Sequence, residues 1–152
     1  MTIRREALMF FFRTGERGDE VLILHRAPED GGYWHPVAGA LENGETGAEA
    51  AIREGREETG FNAQGQLLEL GHRHAYPPSD VSERRKLWCV DAESVLVEGF
   101  AVGVPAGWEP RLNAEHDGYR WCQIDDALAH LYWPDAKEAL LALARLLNGR
   151  RR

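Results

Sequence analysis

The sequence predicts a mixed α/β fold: one β-sheet of mixed strand direction with helices on both faces. Three observations predict it. Strand-like apolar runs and helix-periodic runs alternate irregularly, which does not match the regular repeat of a parallel doubly wound sheet. ALMFFFR and EVLILHR are joined by a short polar segment containing glycines, so they read as an antiparallel hairpin. The 152 residues suffice for one domain with a substantial core and leave little room for a second, so residues 1–152 are expected to form a single unit.

The elements follow in order. Residues 7–13 and 20–26 are the hairpin strands, with TGERGD as the turn. Residues 30–45 are rich in glycine and turn formers and read as loop, with a short strand near Trp34–Ala38. Thr46 stands three residues before Glu49, the spacing of a capping box, so a helix is expected over 47–59 with Gly60 as its stop. QLLELGHRHAY and ERRKLWCVDAESV read as strands separated by PPSDVS, and residues 98–117 as a long connection. GYRWCQI is a short strand and DDALAHL a short helix. The last helix starts at Pro134, a residue suited to a first helical turn, and carries Ala136, Leu140, Leu143, Ala144 and Leu147 at helical spacing. Gly149 is expected to end it, leaving Arg150–Arg152 as a disordered, solvated tail.

Composition narrows the function classes. The balance of 18 basic and 25 acidic residues, net −7, argues against a nucleic-acid polymer as partner. No apolar run approaches the ~20 residues of a membrane span, and ALMFFF lacks the flanks of a signal peptide. Cys89 and Cys122 sit in apolar, strand-like contexts and read as reduced core residues of a cytoplasmic protein.

The segment REGREETG places Glu54, Glu57 and Glu58 on one helix face, since positions three and four apart are neighbours. Ala48, Ala51, Ile52, Gly55 and Thr59 form the opposing stripe, expected to face the sheet. A solvated acidic face offset by Arg53 and Arg56 is one reading. A hard-oxygen site for Mg²⁺ is the other. Gly55 costs a helix interior about 1 kcal/mol relative to alanine, which implies close packing against a bulky neighbour such as Phe12, Phe61 or Trp88.

Read from Gly39, the chain runs glycine, five residues, Glu45, seven residues, Arg53-Glu54, two residues, Glu57-Glu58, one residue, Gly60, Phe61. This pattern, residues 39–61, resembles the signature box of the Nudix hydrolases, which split nucleoside diphosphates linked to another group. Seven fixed positions match a given start by chance with probability on the order of 10⁻⁸ to 10⁻⁹. Gly55 is the departure, standing where that family usually has an aliphatic residue. The resemblance implies an α/β/α sandwich around a mixed sheet. It implies that Gly39, through its carbonyl, and Glu54, Glu57 and Glu58 bind Mg²⁺, with Mn²⁺ as a substitute. Glu54 would also help deprotonate the attacking water, and Arg53 paired with Glu45 would orient it. Glu115, in the loop before a strand, would be a further ligand or base.

Beyond the box, YWHPVAGALENGET, HRHAYPPSDVSERRKLWCV and EHDGYRWCQIDDALAHLYWPDAKEALLAL are similar to the dihydroneopterin triphosphate pyrophosphohydrolases. That resemblance implies a small-molecule pterin or nucleoside triphosphate as partner and a monomer or homodimer. Arg26, Arg73, Arg84, Arg85 and Lys86 are the candidate phosphate-binding cations, and Trp34, Tyr76 and Trp88 the candidate stacking rings. Each also has a plain reading as surface charge or packing. Two alternatives stay open. A dinucleoside polyphosphate hydrolase is weakened by Ala38, which occupies a position often lysine in that group. A non-catalytic nucleotide-binding domain is weakened by the intact set of glutamates.

Overall fold

The computed structural model describes residues 3–75 and 94–150. Among the described residues, seven strands form one sheet: β1 (Ile3–Gly15), β2 (Gly18–Arg26), β3 (Trp34–His35), β4 (Val37–Ala40), β5 (Leu68–Ala75), β6 (Ser94–Gly103) and β7 (His116–Gln123). Three α-helices are described: α1 (Gly47–Thr59), α2 (Ile124–His130) and α3 (Pro134–Arg150).

β1 organises the sheet. β6 runs parallel to it from Ile3 to Phe12. On its other edge β4 pairs antiparallel with Glu6–Met9, and β2 with Phe12–Gly15. β2 then takes β3 as its partner at Leu24–His25, and pairs antiparallel with β7 over Glu20–Arg26. β1 and β2 therefore separate, and the β3–β4 segment fills the gap. Pro36, which has no N–H to donate, stands where that segment changes partners. β5 completes the sheet antiparallel to β6.

Strand alternation divides the core into two. Leu8 and Phe10 face Ala127, Leu140 and Leu143 of α2 and α3, while Ala7, Met9 and Phe11 face Ala50 and Ala51 of α1. The sheet is mixed and has helices on both faces, as expected. Among the described residues no helix is long and apolar enough to cross a membrane. Cys122 is buried and free; burial pushes its thiol up to about 11, so it is a protonated core side chain. Cys89, and most of the strand expected over 83–95, lie outside the described residues.

Three expectations need correction. The connection expected over 98–117 begins with strand: β6 continues to Gly103. Glu98, Gly99 and Gly103 interrupt its apolar pattern, but Glu98 is held by Arg5 at 2.7 Å and Gly103 receives the Phe12 ring. Gly149 lies inside α3, which runs to Arg150. On α1, Glu58 is only 2 % exposed and joins Ala51, Gly55 and Thr59 among the buried residues, whereas Ala48 and Ile52 are half-buried. The acidic residues thus do not share one solvated face.

Gly55 is explained by β1. A Cβ there would come within 2.7 Å of the Met9 methyl and 3.3 Å of the Phe11 ring. Of the neighbours expected to fill the space, Phe61 packs on Phe11 at 5.6 Å, Phe12 faces Gly103, and Trp88 lies outside the described residues. Gly55→Ala is expected to shift the melting temperature little. Its helix-propensity gain of about 1 kcal/mol is offset by displacing the end of a flexible methionine. Gly55→Leu is expected to cost about 1–3 kcal/mol through overpacking. A Gly55→Leu protein melting above wild type would contradict this packing.

Candidate active site

α1 is fixed at both ends before it offers any chemistry. Thr46 accepts from the Glu49 backbone at 3.1 Å, and Glu49 accepts from the Thr46 backbone at 3.0 Å. Gly60 closes the helix in the left-handed conformation, φ 84°, which glycine adopts without strain. The helix is thereby set against β4.

Arg53 ties the helix to the loop after β4. Its Nε and Nη2 donate to the two oxygens of Glu45 at 2.7 and 3.0 Å, a forked pair. Nη2 also reaches the Ala40 carbonyl at 3.0 Å, and Nη1 donates to Glu54 at 2.8 Å. Hydrogen bonds from Arg53 hold the Glu45 carboxyl down at about 2, and Arg53 is itself shifted further toward the charged form. The Glu54 carboxylate lies directly against Gly39, where any Cβ would overlap it. That close approach is a reason for glycine at this position.

Glu54 and Glu115 line a cavity of about 540 Å³ at the fork between β1 and β2. Its wall also carries Arg4 and Glu6 of β1, Arg26 at the end of β2, His35 of β3, Gly39 of β4, and Trp133 and Asp135 at the start of α3. Burial raises the Glu54 carboxyl above its ordinary range; hydrogen bonds from Glu58 and Arg53 oppose this. Glu58 is raised further, by burial first, then by its hydrogen bond with Glu54 and the nearby charges of Glu54 and Glu115. Its Oε1 atom has no hydrogen-bond partner. Glu57, expected as a metal ligand, is exposed and not among the lining residues; it lies 3.4 Å from Arg53.

The sequence-predicted residues divide clearly. The fold brings Gly39, Arg53, Glu54, Glu115 and Arg26 to the cavity wall, with Glu58 buried behind Glu54. Arg26 donates to the Asp30 carbonyl at 3.1 Å, which steadies its guanidinium there. Trp34 is not among the lining residues; its ring packs on His25 at 4.9 Å and His130 at 6.1 Å. Arg73 lies in β5 opposite Glu98 in register. Tyr76, Arg84, Arg85, Lys86 and Trp88 lie outside the described residues. Sequence reasoning missed Arg4, His35, His116, Trp133 and Asp135. A signal exists for two of them: WPD marks the start of the last helix, and its tryptophan and aspartate flank the proline that begins the first turn.

His116 and His35 are buried beside Glu58. Burial lowers both, His116 to about 4 and His35 well below the usual histidine value, so both imidazoles are neutral at pH 7. The 3.4 Å approach of His116 Nε2 to Glu58 is therefore not an ion pair at pH 7.

The donor set suits a hard divalent cation. Glu54 and Glu115 on the cavity wall and Glu58 behind Glu54 offer oxygen ligands, and Glu58 keeps a buried oxygen without a hydrogen-bond partner. These features fit Mg²⁺ or Mn²⁺. A pH consequence follows for the metal-free protein. A carboxyl whose folded pKa is raised contributes its stability below its unfolded pKa, about 4.3, and loses it as pH rises toward the folded value. Glu58→Gln is therefore expected to raise the melting temperature of the metal-free protein more at about pH 8 than at about pH 5. An equal change at both would show that Glu58 is already ionised.

The NUDIX domain family model matches residues 2–143. The asymmetrical bis(5'-nucleosyl)-tetraphosphatase of Rattus norvegicus is 30% identical over 118 residues, covering 78% of this chain and 74% of that protein. A protein named octanoyltransferase from Myxococcus xanthus is 39% identical over 126 residues; the match covers 82% of this chain but 32% of that longer protein. A solved structure described as a NUDIX hydrolase from Listeria monocytogenes superposes with a TM-score of 0.76 at 27% identity, covering 95% of this chain and 94% of that one. The E. coli dihydroneopterin triphosphate pyrophosphohydrolase shares the fold, with a TM-score of 0.75 at 22% identity over 90% of this chain and 91% of its own. This chain belongs to the NUDIX domain family, whose hydrolases act on phosphoric anhydrides.

Proposed function

We propose that the protein is a Mg²⁺-dependent pyrophosphohydrolase. It would cleave a nucleoside triphosphate-like substrate, dihydroneopterin triphosphate or a (deoxy)nucleoside triphosphate, to the monophosphate and pyrophosphate. The observation that carries this reading is the Arg53-held Glu54, pressed against Gly39 on the wall of a cavity that also presents Arg26 and Glu115.

Residues of the chain divide the work. Glu54, Glu57, Glu58, Glu115 and the Gly39 carbonyl would hold the cation. When bound, Mg²⁺ polarises a phosphoryl oxygen and lowers the pKa of water. Glu54 takes the proton of the attacking water; burial raises its affinity for that proton, as a base working near neutral pH requires. Arg53 keeps Glu54 in one orientation. Arg26 and Arg4 supply positive charge along the cavity for the phosphate chain, and Trp133 offers an aromatic wall to a base or pterin.

A second reading, an asymmetrically cleaved dinucleoside polyphosphate, has specific support. The Rattus norvegicus tetraphosphatase is 30% identical over most of its length. A product-resolved screen with Mg²⁺ separates the two. Pyrophosphate release from triphosphates at higher kcat/KM than cleavage of diadenosine tetraphosphate supports the first reading. The reverse order replaces it with the second.

A further inference from the structure

Behind the acidic wall lies a second set of ligands with different chemistry. His35 of β3, His116 at the start of β7 and Glu58 in the last turn of α1 are 4 %, 5 % and 2 % exposed. Each offers one ligand atom, and these atoms all lie within 4.8 Å of one another. The Nε2 atoms of His35 and His116 are 2.9 Å apart, and His116 Nε2 is 3.4 Å from Glu58 Oε1. Ligands sharing one tetrahedral Zn²⁺ at about 2.0–2.2 Å stand roughly 3.3–3.5 Å apart, so only a small opening of the His–His pair is needed.

We propose that His35, His116 and Glu58 form a buried transition-metal site, selective for Zn²⁺-class ions and distinct in ligand type from the all-oxygen Mg²⁺ site. Two imidazole nitrogens and one carboxylate oxygen suit zinc or cobalt, whereas Mg²⁺ prefers oxygen ligands and retains its waters. Three protein ligands also leave a fourth position for water, as in open zinc sites.

Two observations separate this from a purely structural histidine pair. His116 Nδ1 lies 2.8 Å from Asn113 Oδ1; the N–H donates there, so Nε2 carries the lone pair, which accepts from His35 Nε2–H at 2.9 Å and would be released to a metal by the other His35 tautomer. Supporting hydrogen bonds of this kind orient metal-binding imidazoles. Glu58 Oε1 then points at that nitrogen with no hydrogen-bond partner of its own. A structural pair alone would leave this buried acceptor unsatisfied, which is unfavourable.

The site shares Glu58 with the proposed Mg²⁺ site but does not depend on the hydrolytic reading. The test is ¹⁵N NMR of the imidazoles in wild-type protein, titrated with Zn²⁺ while Mg²⁺ is in large excess. The Nε2 resonances of His35 and His116 are expected to shift together and saturate at one equivalent. His116→Gln is expected to weaken Zn²⁺ binding by more than about 10²-fold, beyond the 10–100-fold typical of a supporting partner. Unmoved Nε2 resonances at one equivalent overturn the site, as does unchanged Zn²⁺ affinity in a folded His116→Gln protein. If that variant fails to fold, the wild-type titration decides alone. Loss or retention of Mg²⁺-supported hydrolysis moves neither readout.

Discussion

Glu54→Gln is expected to lower Mg²⁺-supported turnover by about 10²- to 10⁴-fold, the range lost with a positioned general base. The substitution keeps the shape, and the carbonyl of the new amide can still accept from Arg53. What disappears is the charge and the ability to take a proton. Stability should not fall, because Glu54 is partly buried and burial already disfavours its ionised form. The measurement pairs steady-state kinetics with a melting curve. Full activity in a stable Glu54→Gln protein would remove Glu54 from the chemistry and leave it as a wall residue.

Arg53→Lys is expected to reduce kcat by about 10²-fold with charge conserved, the scale associated with misplacing a reacting group by about 1 Å. Arg53 reaches Glu45 with two nitrogens, the Ala40 carbonyl with one, and Glu54 with another. A lysine ammonium cannot copy that planar fork. Because Arg53 acts through Glu54, it is a positioning residue, and the fall should appear in kcat rather than KM. A shift in the acidic limb of the pH–rate profile should accompany it, since one stabiliser of the Glu54 carboxylate is altered. Wild-type kcat and an unmoved pH profile would show that Arg53 is a structural strap only.

The legibility of these features in the sequence follows their range. α1 is readable to the residue because a capping box and a terminal glycine are local signals. The hairpin is readable for the same reason. β6 is obscured because Glu98 and Gly99 break its pattern, and its justification is a parallel partner about ninety positions away in β1. The acidic segment points to Glu54 and Arg53, but helical spacing alone places Glu58 outside. Its burial depends on His35 and His116, which arrive from β3 and β7. Trp133 and Asp135 enter the cavity wall only because the segment before α3 is tied to β3, where the Tyr132 N–H donates to the Trp34 carbonyl. Contacts made between distant segments leave no periodic trace, and this accounts for what sequence reasoning missed.

The central claim is that this acidic wall binds a divalent cation and hydrolyses a phosphoric anhydride. It is tested most directly by ³¹P NMR of nucleoside triphosphate turnover in ¹⁸O-enriched water, with Mg²⁺ present and with it chelated. The account predicts monophosphate and pyrophosphate, ¹⁸O in one of the two products, turnover that vanishes on chelation and returns with Mg²⁺, and none of this in Glu54→Gln. Equal turnover with and without the metal, or label entering at the same rate in the folded Glu54→Gln protein, would contradict it.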